Sequence, residues 1–380
     1  MLKASADTQL PIEKELVLSI LCARLGIFIS IPTITIDNIW RSAYEYSVKQ
    51  RVVLLLYDYL KRDRLEFPDD LYHLLSKLYR SNSIHNLIYS AELLNITSLF
   101  AENMISCIHL KGVSLSEYLY QDLGLRPVVD LDILVQQADF FKANELLLQR
   151  GYTRMLQEDT IKGKIHKRMT HQWPYRHEAR RVLVELHRQF VPKSRANRVE
   201  SEGIWSRAQT IQLDGQSIQI MSPEDLLVYL SIHASKEFWG SLLQVNDIAS
   251  LIVQHPDLDW SVVIEVARTN HSILRVLISL ALASALLRIP LPQIIEDEIE
   301  KKGARGRIYF AVLRNLVGSN DNEKSVWSAR FWQDLNLAES WPDRIVIVGY
   351  KGINVLAAAA DRLLQPFRGV FVAKKPDLQG

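Results

Sequence analysis

The stretch "RPVVDLDILV", residues 126–135, sets two aspartates among the residues of a buried β-strand. Buried carboxylates are strongly unfavourable unless something neutralises them. In a strand, residues i and i+2 share a face. Asp130 and Asp132 therefore offer two carboxylates side by side, while Leu131 and Ile133 turn the other way into core. Hard divalent cations take such oxygen ligands, together with phosphates and water. A metal-holding aspartate pair suits in-line displacement at phosphorus. The competing reading of a bare Asp-x-Asp is the polar side of an edge strand.

Upstream, Lys111-Gly112 falls between a short apolar strand, "ISCIHL", and a helical pattern, "VSLSEYLYQDL". Backbone N–H groups at a helix N-terminus, beside a glycine that lets a ligand approach, favour phosphate. Lys111 adds a charge and Ser114 a hydroxyl. The order of strand, Lys-Gly turn, helix and Asp-x-Asp strand is more informative than either motif alone.

"LKGVSLSEYLYQDLGLRPVVDLDILV" resembles the signature of the uncharacterised bacterial nucleotidyltransferases in the polymerase-β-like superfamily. The likeness continues through "ADFFKANELLLQRGY", "VLVELHRQF" and "SPEDLLVYLSIHASKEFWGSLLQVNDIASLI", covering about residues 100 to 290. The resemblance implies a fold of the α+β class, predominantly helical. Its polymerase-β-like nucleotidyltransferase core, a small mixed sheet with helices, is flanked by N- and C-terminal helical regions. It makes Asp130 and Asp132 metal ligands and Glu185, on a neighbouring strand, the third carboxylate, all three being catalytic. Glu185 stands where the superfamily has Asp. Lys111, Gly112 and Ser114 would cradle the triphosphate, although the usual Gly-Ser turn is here Lys-Gly with Ser two residues on. The implied cofactor is Mg²⁺ or Mn²⁺.

Further candidates surround this set. His187 shares a strand face with Glu185 and reads either as a histidine orienting a carboxylate or as a phosphate contact. Arg126 opens the aspartate strand, as a phosphate ligand or as a surface arginine. His233 and Lys236 lie one turn apart on a helix, with Trp239 and Asp247 beyond, and could aim at the nucleotide. "KGKIHKRMTHQWPYRHEARR", residues 162–181, is strongly basic and holds Trp173 and Tyr175. It reads as a solvated loop or hairpin, or as a mobile loop meeting an anion. His166, His171 and His177 match no paired-ligand spacing.

The elements that must position these residues follow from apolar periodicity. Helical patterns fill the first hundred residues: "IEKELVLSILCARLG" after Pro11, "RVVLLLYDYLKR", "DDLYHLLSKLYR" and the long "SIHNLIYSAELLNITSLFAENM". Strands then alternate with helices, which marks an α/β layer. From "SPEDLLVYLSIHAS", with its serine cap and proline at the first helical position, the chain is helical again to about residue 366. "RIVIVGYKGINVLAAAADRLL" reads as a packed amphipathic helix. Three regions are expected: 1–99 helical, 100–220 the α/β core and 221–380 helical.

Composition narrows the function classes. Of the 380 residues, 48% are hydrophobic and 23% charged, ordinary for a soluble globular protein. A net charge of +2 makes no case for a nucleic-acid or membrane partner. Cys22 and Cys107 can build neither a zinc site nor a disulfide framework, and both read as core residues of a cytoplasmic protein. The longest clean apolar run, 276–287, is too short to span a bilayer, so no stable membrane insertion is expected. No P-loop motif occurs.

The expected activity is Mg-dependent nucleotidyl transfer, an enzyme of the phosphoryl-transfer class. It would move a nucleoside monophosphate from an NTP to a hydroxyl or phosphate acceptor and release pyrophosphate. The alternatives are hexose transfer from a nucleotide-sugar by the same site, and a non-catalytic nucleotide-binding scaffold. A peptide, small molecule or saccharide acceptor is favoured over a long nucleic acid, which would need several phosphate contacts.

Overall fold

Two alternating segments, Leu131–Val135 (β2) and Val182–His187 (β5), run parallel and adjacent in the computed structural model, with Asp132 opposite Glu185 and Leu134 opposite His187. The structure describes residues 10–32, 34, 37–63, 67–155, 172–189, 201–302 and 316. Expectations for His166, His171, the segment 344–364 and the chain's last helices lie outside them.

Four helices come first: Ile12–Arg24 (α1), Asp37–Lys49 (α2), Val53–Asp63 (α3) and Asp69–Glu102 (α4). The α4 segment corrects the expectation of two separate helices. Its polar middle does not break it, because the side chains there are used. Ser83 Oγ donates to the Tyr79 carbonyl at 2.8 Å, and Asn82 and Asn86 donate to carbonyls between Leu123 and Arg126.

The mixed layer contains Cys107–His109 (β1), Val113–Tyr120 (α5), β2, Phe140–Gln149 (α6), Thr153–Arg154 (β3), Gln172–His177 (β4), β5, Ser201–Arg207 (α7), Gln209–Leu213 (β6) and Gln216–Ile220 (β7). These strands form one sheet in the order β3-β4-β5-β2-β1-β7-β6. The β1–β2 pair is antiparallel, whereas β2–β5 and β1–β7 are parallel. The β6–β7 hairpin was not anticipated. Its turn is Asp214-Gly215, both at positive φ, the geometry that two-residue hairpins favour. The basic segment is also corrected where it is described. Gln172–His177 is a paired strand, and Trp173 and Tyr175 are core residues rather than part of a solvated loop.

Beyond the sheet come Pro223–Lys236 (α8), Leu242–Gln254 (α9), Trp260–Thr269 (α10), Ile273–Leu287 (α11) and Gln293–Lys302 (α12). Ser222 caps α8 through its hydroxyl, with Pro223 at the first helical position. The apolar run falls in α11, which is almost wholly buried. No helix among the described residues is long and apolar enough to cross a membrane.

The sheet separates two hydrophobic clusters. On one side Leu131, Ile133, Val184 and Leu186 pack with Leu93 and Phe100 of α4 and Phe140 of α6. On the other, Ile108 and Leu134 join a cluster that runs from α1 through α8, α9 and α11. Fully burying each such Leu, Ile or Val contributes on the order of 1.5–3 kcal/mol. Strand alternation leaves Asp132, Glu185 and His187 on the face toward α8. There the apolar layer gives way to charge.

Candidate active site

The site begins where β1 ends. Leu110 N–H donates to the Asp132 carbonyl at 3.0 Å, which lays the next residues along the start of β2. Gly112 then turns with φ 82° and ψ −134°, a conformation open essentially to glycine. A Cβ at Gly112 would lie 2.8 Å from the Asp130 carbonyl oxygen, so only glycine allows the two backbones to come this close. The strand is shorter than expected. It starts at Leu131, leaving Asp130 just before it.

This approach puts the Lys111 ammonium between the aspartates, 2.7 Å from Asp130 Oδ1 and 2.6 Å from Asp132 Oδ2. Behind them, His187 Nε2 donates to Asp132 Oδ1 at 3.0 Å and lies 3.7 Å from Glu185 Oε2. The β2–β5 register brings Glu185 level with Asp132, and Gln172 Nε2 donates to Glu185 Oε2. Asp132 is sealed, with 1% of its side chain exposed, against 22% for Asp130 and 26% for Glu185.

Burial sets the aspartates apart. Desolvation, then repulsion from Asp132, pushes the Asp130 carboxyl up to about 6 despite Lys111. Burial would raise Asp132 too, but Lys111 and His187 outweigh it and hold that carboxyl well below the usual range. Burial opposes charge on Lys111 and His187, yet their acidic partners win and raise both. Such opposed shifts in neighbouring carboxylates are characteristic of functional sites.

A cleft of about 310 Å³ opens over this cluster, between the sheet and the helices. Of the expected residues it brings together Lys111, Gly112, Arg126, Asp130, Asp132, Glu185, His233 and Lys236. Arg126 is not the surface arginine of the alternative reading. Its side chain is 12% exposed, and Nε donates to Asp247 Oδ2 at 3.1 Å. Asp247, on α9, also accepts from Tyr120 at 2.6 Å. His233 is half-buried, and burial together with the charges of Lys111 and Lys236 keeps it well below its ordinary pKa.

Two expected residues lie beneath the cleft instead of lining it. Ser114 is buried and donates to the Lys111 carbonyl at 3.1 Å, bracing the turn. His187 acts on Asp132. The sequence reading missed Gln172, Tyr229 and Arg51, which line the cleft, and gave Asp247 no role. Gln172 could have been found by pairing the strands "QWPYRH" and "VLVELH". Arg51 had no local signal, because its turn is remote in sequence.

The donor set fits a hard divalent cation. Asp132, Glu185 and His187 each bring a ligand atom within 4.8 Å of the others, and Asp130 stands across the Lys111 ammonium from Asp132. The His187 Nε2 atom is engaged by Asp132, so the carboxylates are the available donors, as Mg²⁺ or Mn²⁺ would require. The lysine ammonium already serves as a stand-in cation between two of them.

The family model described as "Uncharacterised nucleotidyltransferase" matches residues 37–288. No curated protein matches the chain. A solved structure, of an antigenic nucleotidyltransferase-like protein from Paracoccidioides brasiliensis, is 15% identical. It is aligned over 57% of this chain and 94% of that one, and its TM-score of 0.26 is too low to bear on the fold.

Proposed function

Because the chain belongs to this family of uncharacterised nucleotidyltransferases, we propose that it is a divalent-metal-dependent enzyme moving a nucleoside monophosphate from an NTP to an acceptor hydroxyl. The observation that carries this reading is the Lys111 ammonium held between Asp130 and Asp132, beside Glu185 on the floor of an open cleft. Acids gathered so closely need a cation, and Lys111 contacts only two of the three.

Asp130, Asp132 and Glu185 would hold the metal. Bound there, a divalent ion supplies charge neutralisation for the triphosphate and a lowered pKa for the acceptor hydroxyl. Glu185, the most open of the three, takes that hydroxyl's proton on its carboxylate. The acceptor oxygen bonds to the α-phosphorus, the bond to the β-bridging oxygen breaks, and pyrophosphate leaves. Lys111, Arg126 and Lys236 offset the phosphate charge, and Gly112 lets the phosphates approach the backbone. His187 orients Asp132 from below, and His233 stays neutral at the wall. Positioning and charge neutralisation do most of the work in such transfers. The favoured acceptors are peptides, small molecules or saccharides.

The test is incubation with Mg²⁺, each α-labelled NTP and fractionated candidate acceptors, followed by mass analysis of the labelled product. An added nucleoside monophosphate supports the proposal. An added hexose from a nucleotide-sugar, or no nucleotide-dependent product, overturns it.

A further inference from the structure

The charges around the cleft are mostly matched in pairs. Lys111 is held by Asp130 and Asp132, Arg126 by Asp247, and Glu237 accepts from Gln244. Arg51 differs. It lines the same cleft, is exposed, and its side chain makes no ion pair or hydrogen bond with any described residue.

Arg51 comes from the N-terminal helices, yet its position is tightly fixed. It ends α2 at φ 61°, with Arg51 N–H donating to the Val48 carbonyl and Val52 N–H to the Ser47 carbonyl. This is the paired hydrogen-bond closure of a left-handed helix end, where glycine is usual. The preceding residue ties the turn to α9. Leu242 N–H donates to Gln50 Oε1 at 3.0 Å, and Leu243 N–H to the Gln50 carbonyl at 3.3 Å. The α2–α3 turn is thereby fastened to the helix that also carries Asp247.

From this placement we infer that Arg51 is an anion-binding residue of the active site, contacting the phosphate tail of the donor from the wall that the α2–α3 turn contributes to the cleft. The inference rests on the nucleotidyl-transfer reading and deepens it: the N-terminal helices complete the donor site. With no acidic partner among the described residues, this guanidinium is well suited to phosphate, through paired N–H donors. The alignment is consistent with this, since the family match begins at residue 37 and includes the turn.

The turn geometry provides a clean test. Arg51→Gly removes the guanidinium but suits the positive φ, so its melting temperature should equal or exceed that of the wild type. Binding of Mg²⁺–tripolyphosphate to the full chain, measured by calorimetry, should weaken about tenfold, the loss of one charged hydrogen-bonding group. Arg51→Lys should recover part of the loss, and Mn²⁺ affinity without the anion should be unchanged in both variants. If Arg51→Gly binds tripolyphosphate as the wild type does, the inference is overturned while nucleotidyl transfer stands. If the wild type binds no tripolyphosphate and transfers no nucleotide, both fall.

Discussion

Lys111 and Asp132 form a buried ion pair, Nζ to Oδ2 at 2.6 Å, from the end of one strand to the start of its antiparallel neighbour. Asp132 has almost no solvent exposure, so this lysine and His187 supply its neutralisation within the protein.

Removing the lysine charge should therefore destabilise the metal-free protein. Lys111→Met leaves Asp130 without its cation and Asp132 with only His187, and breaking a buried pair typically costs about 3–5 kcal/mol. In EDTA the variant should melt well below the wild type. Mg²⁺ or Mn²⁺ should restore more stability to it than to the wild type, because no internal cation competes. Equal melting temperatures in EDTA would show that the pair contributes nothing.

The two aspartates should behave differently when made neutral. Asp130→Asn and Asp132→Asn should each lower transfer by roughly 10³-fold or more, because charge stabilisation at phosphorus is lost. Only Asp132→Asn should also destabilise the fold. The Asp130 carboxyl is raised from 3.8 to about 6, so the folded state binds its proton more tightly than the unfolded state. Stability from this group is present at low pH and is lost as pH rises from about 4 to about 6. Asp132 has the opposite sign: its contribution is present above 3.8 and lost as pH falls toward its lowered folded value. Denaturant titrations across pH in EDTA should show Asp130→Asn gaining on the wild type through that window. A constant difference would contradict the assignment.

His187 carries a separate pH signature. Its pKa is raised above 6.5 by Asp132 and Glu185 against the effect of burial. The charged form's stabilisation is complete below about 6.5 and is lost as pH rises through the higher folded value. The stability gap between wild type and His187→Gln should thus narrow on raising the pH. Titration of the ring resonances by NMR gives an independent reading, and a folded pKa below 6.5 would refute it.

Gly112→Ala should disable the site through the backbone alone. The added methyl meets the Asp130 carbonyl oxygen at 2.8 Å, at a φ of 82° that alanine avoids. A loss of about 1–3 kcal/mol is expected from the strain, with activity falling further because the Lys111 turn must move. A variant with normal melting temperature and rate would mean that the two backbones need not be close.

Much of the site was legible because strand chemistry is local. Alternation in "DLDILV" and "VLVELH" assigns Asp132, Glu185 and His187 to one face, and Lys-Gly marks the turn. The Ser222–Pro223 helix start depends on hydrogen bonds within one turn and was read correctly. The β6–β7 hairpin is also written locally, in Asp214-Gly215 between alternating residues. The continuity of α4 was not legible. Its polar middle is stabilised by carbonyls from the Leu123–Arg126 segment, far along the chain.

The amino-acid sequence by itself determined which residue types could do chemistry and which strand faces they occupy, because side-chain alternation is a property of neighbouring residues. Tertiary structure alone decided how their charges are matched: Lys111 between two aspartates, Arg126 on Asp247, and Arg51 at the cleft with no acidic partner among the described residues. Charge pairing depends on distances of a few ångströms between segments separated by many residues, and those distances are set by packing of the whole chain.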